Sequence, residues 1–189
     1  MNLTNSQPPN KWLFFMVKLV KSSFISLFVI ALAACTTSTT CEKAVEQSND
    51  LRVFFTPGTD CEQNIINEIN KAQEIDVAVY SISNVRIVDA LLKAYQRGTQ
   101  IRIITDRTQS KGKGSLVSKL KSAGIPVVTN KKHKIEHNKW AIFDQRYVVA
   151  GSYNWTENAT KFNSESCLFF TPTGEEFSQR FEYLWNMYQ

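Results

Sequence analysis

Apolar and polar positions along residues 51–189 follow periods that change from one segment to the next. Leu51-Arg52-Val53-Phe54-Phe55 reads as a strand, ended by Pro57-Gly58. Thr59 and Glu62 have the spacing of a capping box, and Ile65, Ile66, Ile69 and Ala72 follow at helical spacing. Ile75 to Tyr80, apolar except for Asp76, suits a buried strand. Ile87, Val88, Leu91, Leu92 and Tyr95 mark a second helix, which Gly98 is placed to end. Ile101-Arg102-Ile103-Ile104 predicts a third strand. Leu116, Val117 and Leu120 mark a third helix ending at Gly124, and Val127-Val128 returns to strand.

This alternation predicts βαβ units, hence a mixed, largely parallel sheet with helices on both faces. The pattern then changes. Trp140 to Phe143 and Tyr147 to Ala150 predict a hairpin turning at Asp144-Gln145-Arg146. Cys167 to Phe170 adds a strand, and Phe177, Phe181, Leu184 and Trp185 give the apolar stripe of a closing helix. One α/β domain over 51–189 is expected, large enough for its own core.

The preceding residues read differently. Lys18 and Lys21 stand before the apolar run Phe24 to Ala34, as in an export signal. Leu32-Ala33-Ala34-Cys35 resembles a bacterial lipobox, which makes Cys35 the expected lipidation site and residues 1–35 a lipoprotein-type leader. Met16 is an alternative start, and Trp12 to Ala34 is long enough to serve as a signal anchor if cleavage does not occur. The Thr/Ser-rich stretch 36–50 reads as a polar tether. The expectation is an exported bacterial protein: a membrane-tethered lipoprotein, or a periplasmic or secreted one. With Cys35 acylated, Cys41, Cys61 and Cys167 remain. One disulfide is expected, Cys41–Cys61 or one involving Cys167, and spacing does not choose between them.

Net charge is +5, but three of the 22 Lys and Arg lie in the leader, leaving 19 against 17 acidic residues. Local charge carries more information. Arg107, Lys111, Lys113, Lys119 and Lys121 occur without an intervening acid. Lys131, Lys132, Lys134 and Lys139 have only Glu136 among them. The flexible segment Arg107 to Ser115, with Arg107, Lys111 and Lys113, suits a nucleic-acid backbone, and it offers no broad apolar surface for acyl chains.

The densest chemistry lies in His137-Asn138-Lys139-Trp140-Ala141-Ile142-Phe143-Asp144, followed by Gly151-Ser152-Tyr153-Asn154. Its spacing is H-x-K-x4-D-x6-G-S-x-N. Imidazole titrates near neutrality and serves as nucleophile or proton donor. In an extended segment Lys139 shares the face of His137, and Asn154 that of Ser152. Ammonium, hydroxyl and amide groups neutralise or bind phosphate oxygens, so a phosphodiester site without metal or other cofactor is expected. His133-Lys134-Ile135-Glu136-His137 also matches H-x-x-E-H, a zinc-peptidase pattern. That chemistry needs a helix, whereas here lysines crowd the segment and a strand follows. No other Cys/His metal spacing occurs.

The motif resembles the signature of the phospholipase D superfamily, and the chain resembles its short, single-motif nuclease branch over nearly all of 51–189. Tyr80-Ser81, Asp106 and Asn163-Ser164-Glu165 share in the likeness. The resemblance implies that His137 attacks phosphorus and forms a phosphohistidine. It implies that Lys139, Ser152 and Asn154 bind the phosphate, that Glu165 accepts a hydrogen bond from His137, and that Asp144 supports the site. It further implies two histidines per site, hence a homodimer. A non-specific DNA or RNA endonuclease is the leading expectation. A phospholipase D acting on lipid head groups and a non-catalytic nucleic-acid-binding protein are the alternatives.

Overall fold

Three buried strands form the centre of the sheet: β2 (Glu74–Val79), β3 (Gln100–Thr105) and β5 (Lys139–Phe143). Apart from the paired Asp76 and Arg102, their inner positions are apolar on both faces, so both sides must be covered. The computed structural model describes residues 50–172 and 174–189. The expected leader, tether, lipidation site Cys35, and Cys41 lie outside the described residues. Among the described residues no helix is long and apolar enough to cross a membrane.

Four further strands complete the sheet: β1 (Arg52–Phe55), β4 (Val127–Thr129), β6 (Tyr147–Gly151) and β7 (Ser166–Phe170). The order is β1-β7-β6-β5-β2-β3-β4. The sheet is mixed, as expected, but parallel pairing is confined to β2–β3 and β3–β4. The other four pairings are antiparallel, which corrects the expectation of a largely parallel sheet. The reason is local. Asp144 and Gln145 take left-handed backbone angles, with φ of 51° and 53°, and turn β5 directly back into β6. Strand β7 reverses again, and β1 adds antiparallel to the edge of β7.

Helices cover both faces. On one, α1 (Asp60–Lys71), α2 (Val85–Gln96) and α3 (Val117–Ser122) bring Ile65, Ile69, Ile87, Leu91 and Leu120 over Val77, Ile103 and Ala141. On the other, α5 (Glu176–Tyr188) packs Phe181, Leu184, Trp185 and Tyr188 over Ala78, Ile104, Trp140 and Val148. A short helix α4 (Glu157–Lys161) and a 3-10 turn at Gln109–Lys111 join the pattern. Neither is long enough to show an apolar period.

The capping box does not form. Thr59 makes no side-chain cap, and the Glu62 carboxylate is buried against α2. There it accepts a hydrogen bond from Asn84 Nδ2 at 2.5 Å and pairs with Arg86 at 2.6 Å. Asn84 also caps α2 by accepting from the Ile87 N–H. Gly98 and Gly124 do end their helices, with φ of 93° and 94°.

Asp76, the buried charged residue of β2, lies opposite its cross-strand neighbour Arg102. Arg102 donates two 2.8 Å hydrogen bonds to it, reaches Glu182 of α5 at 2.6 Å, and lies 4.7 Å from the centre of the Phe181 ring. Burial opposes the Arg102 charge, but the two carboxylates outweigh it and raise its pKa. A hydrogen-bonded charged pair thus links β2 and β3 to α5 on one face of the sheet.

A disulfide joins Cys61 in the first turn of α1 to Cys167 in β7, choosing among the pairings that spacing left open. It closes a sequence separation of 106 residues. Replacing both cysteines by alanine should lower stability by roughly 2–5 kcal/mol. Urea unfolding of the oxidised protein and the double variant measures the difference, and reductant should remove it.

Candidate active site

The antiparallel register of β5 on β2 sets Lys139 opposite Val79, at the carboxyl end of the parallel strands. The Tyr80 N–H donates to the Asn138 carbonyl at 2.8 Å and extends this pairing into the approach segment. His137 is exposed, with its ring edge-on to Tyr80 and the ring centres 4.8 Å apart. Lys139 Nζ donates to the His137 carbonyl at 2.8 Å and lies 5.0 Å from the Tyr80 ring centre. Lys139 is half-buried. Burial lowers its pKa, while the nearby charges of Glu165 and Glu136 act in the opposite sense.

The β5–β6 hairpin returns the chain to the same edge at Gly151. Its φ is 155°, and a Cβ there would stand 2.2 Å from the Ser166 carbonyl oxygen, so only glycine fits. Ser152 N–H donates to that carbonyl at 3.0 Å, and its hydroxyl oxygen accepts the Ser166 N–H at 3.1 Å. The hydroxyl proton remains available. Asn154 Oδ1 is buried and meets no donor among the described residues, which leaves the Nδ2 group as the part of this amide that can donate to a ligand. Tyr153, between them, is buried and bonds Thr160 at 2.6 Å; burial pushes its phenol up to about 12.

Glu165 precedes β7 on this edge. Its N–H donates to Thr56 Oγ1 at 3.0 Å, and its Oε1 accepts from Asn163 Nδ2 at 2.9 Å. No hydrogen bond joins it to His137 among the described residues. The site thus collects His137, Lys139, Ser152, Asn154 and Glu165 along one edge.

Asp144 is not among them. It follows the last residue of β5, about 16 Å from Lys139 at the rise of a strand. Its Oδ1 accepts the N–H groups of Gln73 and Glu74 at 2.8 and 2.9 Å, fixing the start of β2 at the opposite edge. The expected support role is therefore a fold role. Sequence spacing conceals this, because strand length separates residues that a motif prints together.

Arg107, Lys111 and Lys113 leave β3 at the site edge, are exposed, and have no carboxylate within 4 Å among the described residues. Asp106 at the root of this loop is buried and accepts from Thr108 and Gln109 N–H. It also accepts the Glu136 N–H at 3.1 Å, tying the basic loop to the segment that carries His137. His133 contacts Tyr188 rather than the site, and the H-x-x-E-H segment is not helical. No cluster of three metal-ligating side chains occurs among the described residues. Tyr188, which donates to Glu136 beside His137, carries no sequence signal that marks it as a neighbour of the site.

Two outcomes follow from this placement. Asp144→Ala should cost about 1–3 kcal/mol of stability, seen as an earlier urea midpoint, with kcat of the folded protein unchanged. Lys139 loses its charge as pH rises through its lowered pKa. The KM for an anionic phosphodiester should therefore climb at a pH below the ordinary lysine value of 10.5. Lys139→Met should show a high KM throughout and no such limb.

A family model described as cardiolipin synthase, phospholipase D-like domain, matches residues 65–185. A phospholipase D of Rickettsia conorii is 40% identical over 115 residues, covering 60% of this chain and 58% of that protein. A mitochondrial cardiolipin hydrolase of Chlamydomonas reinhardtii is 35% identical over 117 residues, 61% of this chain and 52% of that one. The chain thus spans little more than half the length of these relatives. Nuc from Salmonella typhimurium, a phospholipase D family member of known structure, superposes with a TM-score of 0.70 at 26% identity, over 75% of this chain and 97% of Nuc. NucT from Helicobacter pylori gives 0.63 at 28%, over 72% and 94%. With its mixed seven-stranded sheet and the His-Lys edge, the chain belongs to the phospholipase D-like family.

Proposed function

We propose that the protein is a metal-independent phosphodiesterase that cleaves nucleic acid, DNA first, through His137. The observation that carries this is the placement of His137, Lys139, Ser152 and Asn154 on one edge, beside the unpaired basic loop. Lys139 and the donors of Ser152 and Asn154 bind the phosphate oxygens. A His137 ring nitrogen attacks phosphorus as the P–O bond to the leaving oxygen breaks. That oxygen needs a proton. Within one chain His133 is held by Tyr188, so a second copy supplies its His137 as the acid. Water then attacks the phosphohistidine, gives its proton to that second histidine, and releases His137.

The exposed charges of Arg107, Lys111 and Lys113 favour a polyanionic backbone and carry little base information, so low sequence preference is expected. The likeness to Nuc and NucT over nearly their whole length supports the same reading. A phospholipid substrate is the second reading. The names of the relatives favour it, as do two exposed aromatics beside the site, Phe55 at 69% and Phe162 at 75% exposure. Thr56, next to Phe55, bonds both Asn163 and Glu165. Export and membrane tethering remain part of the proposal. A buried disulfide fits an oxidising compartment.

The wild-type protein should cut plasmid DNA in excess EDTA, and His137→Asn should lose about a thousandfold or more. Binding of DNA by the variant should survive and weaken with salt. Head-group release from phospholipid vesicles, with no cutting of DNA, would transfer the assignment to the second reading.

A further inference from the structure

The carboxylate of Glu136 is only 2% exposed, although it directly precedes the exposed His137. Adjacent residues of an extended segment point to opposite sides, so Glu136 is driven inward as His137 faces out. A buried carboxylate is costly unless its lone pairs are used. Here Asn138 Nδ2 donates to Oε1 at 2.5 Å and the Tyr188 hydroxyl donates to Oε2 at 3.0 Å. The Glu136 N–H is held by buried Asp106 at 3.1 Å. Tyr188 lies in the last turn of α5 and is itself buried. Since its proton goes to Glu136, its oxygen accepts from His133 Nδ1. Burial and Glu136 both raise the Tyr188 pKa, which keeps the donor protonated.

From this geometry we propose that Tyr188, acting through Glu136, is a positioning residue for His137, which makes α5 part of the machinery of the site. The inference rests on the reading of His137 as the attacking group. The Asp106 bond fixes the segment from the β3 side and the Tyr188 bond fixes it from the α5 side. Loss of the hydroxyl leaves the carboxylate with a missing donor and lets the imidazole drift from its line of attack.

The test uses the full chain with its disulfide formed and bis(p-nitrophenyl) phosphate, an activated diester that belongs to neither DNA nor lipid. Tyr188→Phe should lower kcat roughly ten- to a hundredfold with KM almost unchanged. Glu136→Gln should fall similarly. The double variant should fall no further than the worse single one, because the two act through each other. Amide hydrogen exchange at Glu136 and Asn138 should speed up in Tyr188→Phe, while β2 keeps its protection. Wild-type kcat and exchange in Tyr188→Phe, or losses that multiply in the double variant, would overturn the proposal. If Tyr188→Phe does not fold, Glu136→Gln decides by the same kcat and exchange readouts. His137→Asn runs alongside. If it is fully active, the reading of the site fails. If it is dead while Tyr188→Phe is unimpaired, only the positioning role fails.

Discussion

The register in which β5 pairs with β2 is the constraint on which the rest depends. Trp140 and Ile142 must meet the α5 face, while Ala141 and Phe143 must meet the α1–α2 face. A slip of one residue would exchange these sets and bring Lys139 round to the α5 side. Burial on both sides therefore holds the register, and the register delivers His137 and Lys139 to the edge where β3 releases the basic loop. The hairpin brings Gly151 and Ser152 to that edge because β5 and β6 are each five residues long and turn at once. The chemistry is placed by packing some distance away from it.

Buried carboxylates recur at the junctions between layers. Glu62 connects α1 to α2, Asp76 connects β2 and β3 to α5 through Arg102, and Glu136 connects the approach to β5 with α5. Each accepts from a donor on another element. None is a cheap way to gain stability, because desolvation offsets much of each attraction. What they supply is direction. A methyl group fits many orientations, but a carboxylate fits only where its donors stand.

Much of the fold was legible in the sequence, and the reason is the clarity of its periods. The expected strands and helices agree with β1 to β7 and with α1, α2, α3 and α5 to within a few residues. Strand direction was less legible. Alternating strands and helices in the first half suggest a largely parallel sheet, but periodicity does not encode where β1 goes, and it lies at the far edge beside β7. The capping box at Thr59 failed because Glu62 found better donors in Asn84 and Arg86. At the site, the period-two rule sets Lys139 on the face of His137, and both side chains neighbour the Tyr80 ring. Asp144 was misjudged because one motif spans both ends of a strand. The burial of Glu136 was not legible, since its partner Tyr188 lies 52 residues away.

The Cys61–Cys167 bond encloses Tyr80, His137, Lys139, Ser152, Asn154 and Glu165. A protease cut in the exposed loop Arg107 to Ser115 would therefore not separate the two parts of the chain. Both pieces would stay joined through α1 and β7, with the sheet pairings still in place to hold them. In a compartment rich in proteases, such a protein can be nicked at its most accessible segment and remain one molecule until it meets a reductant.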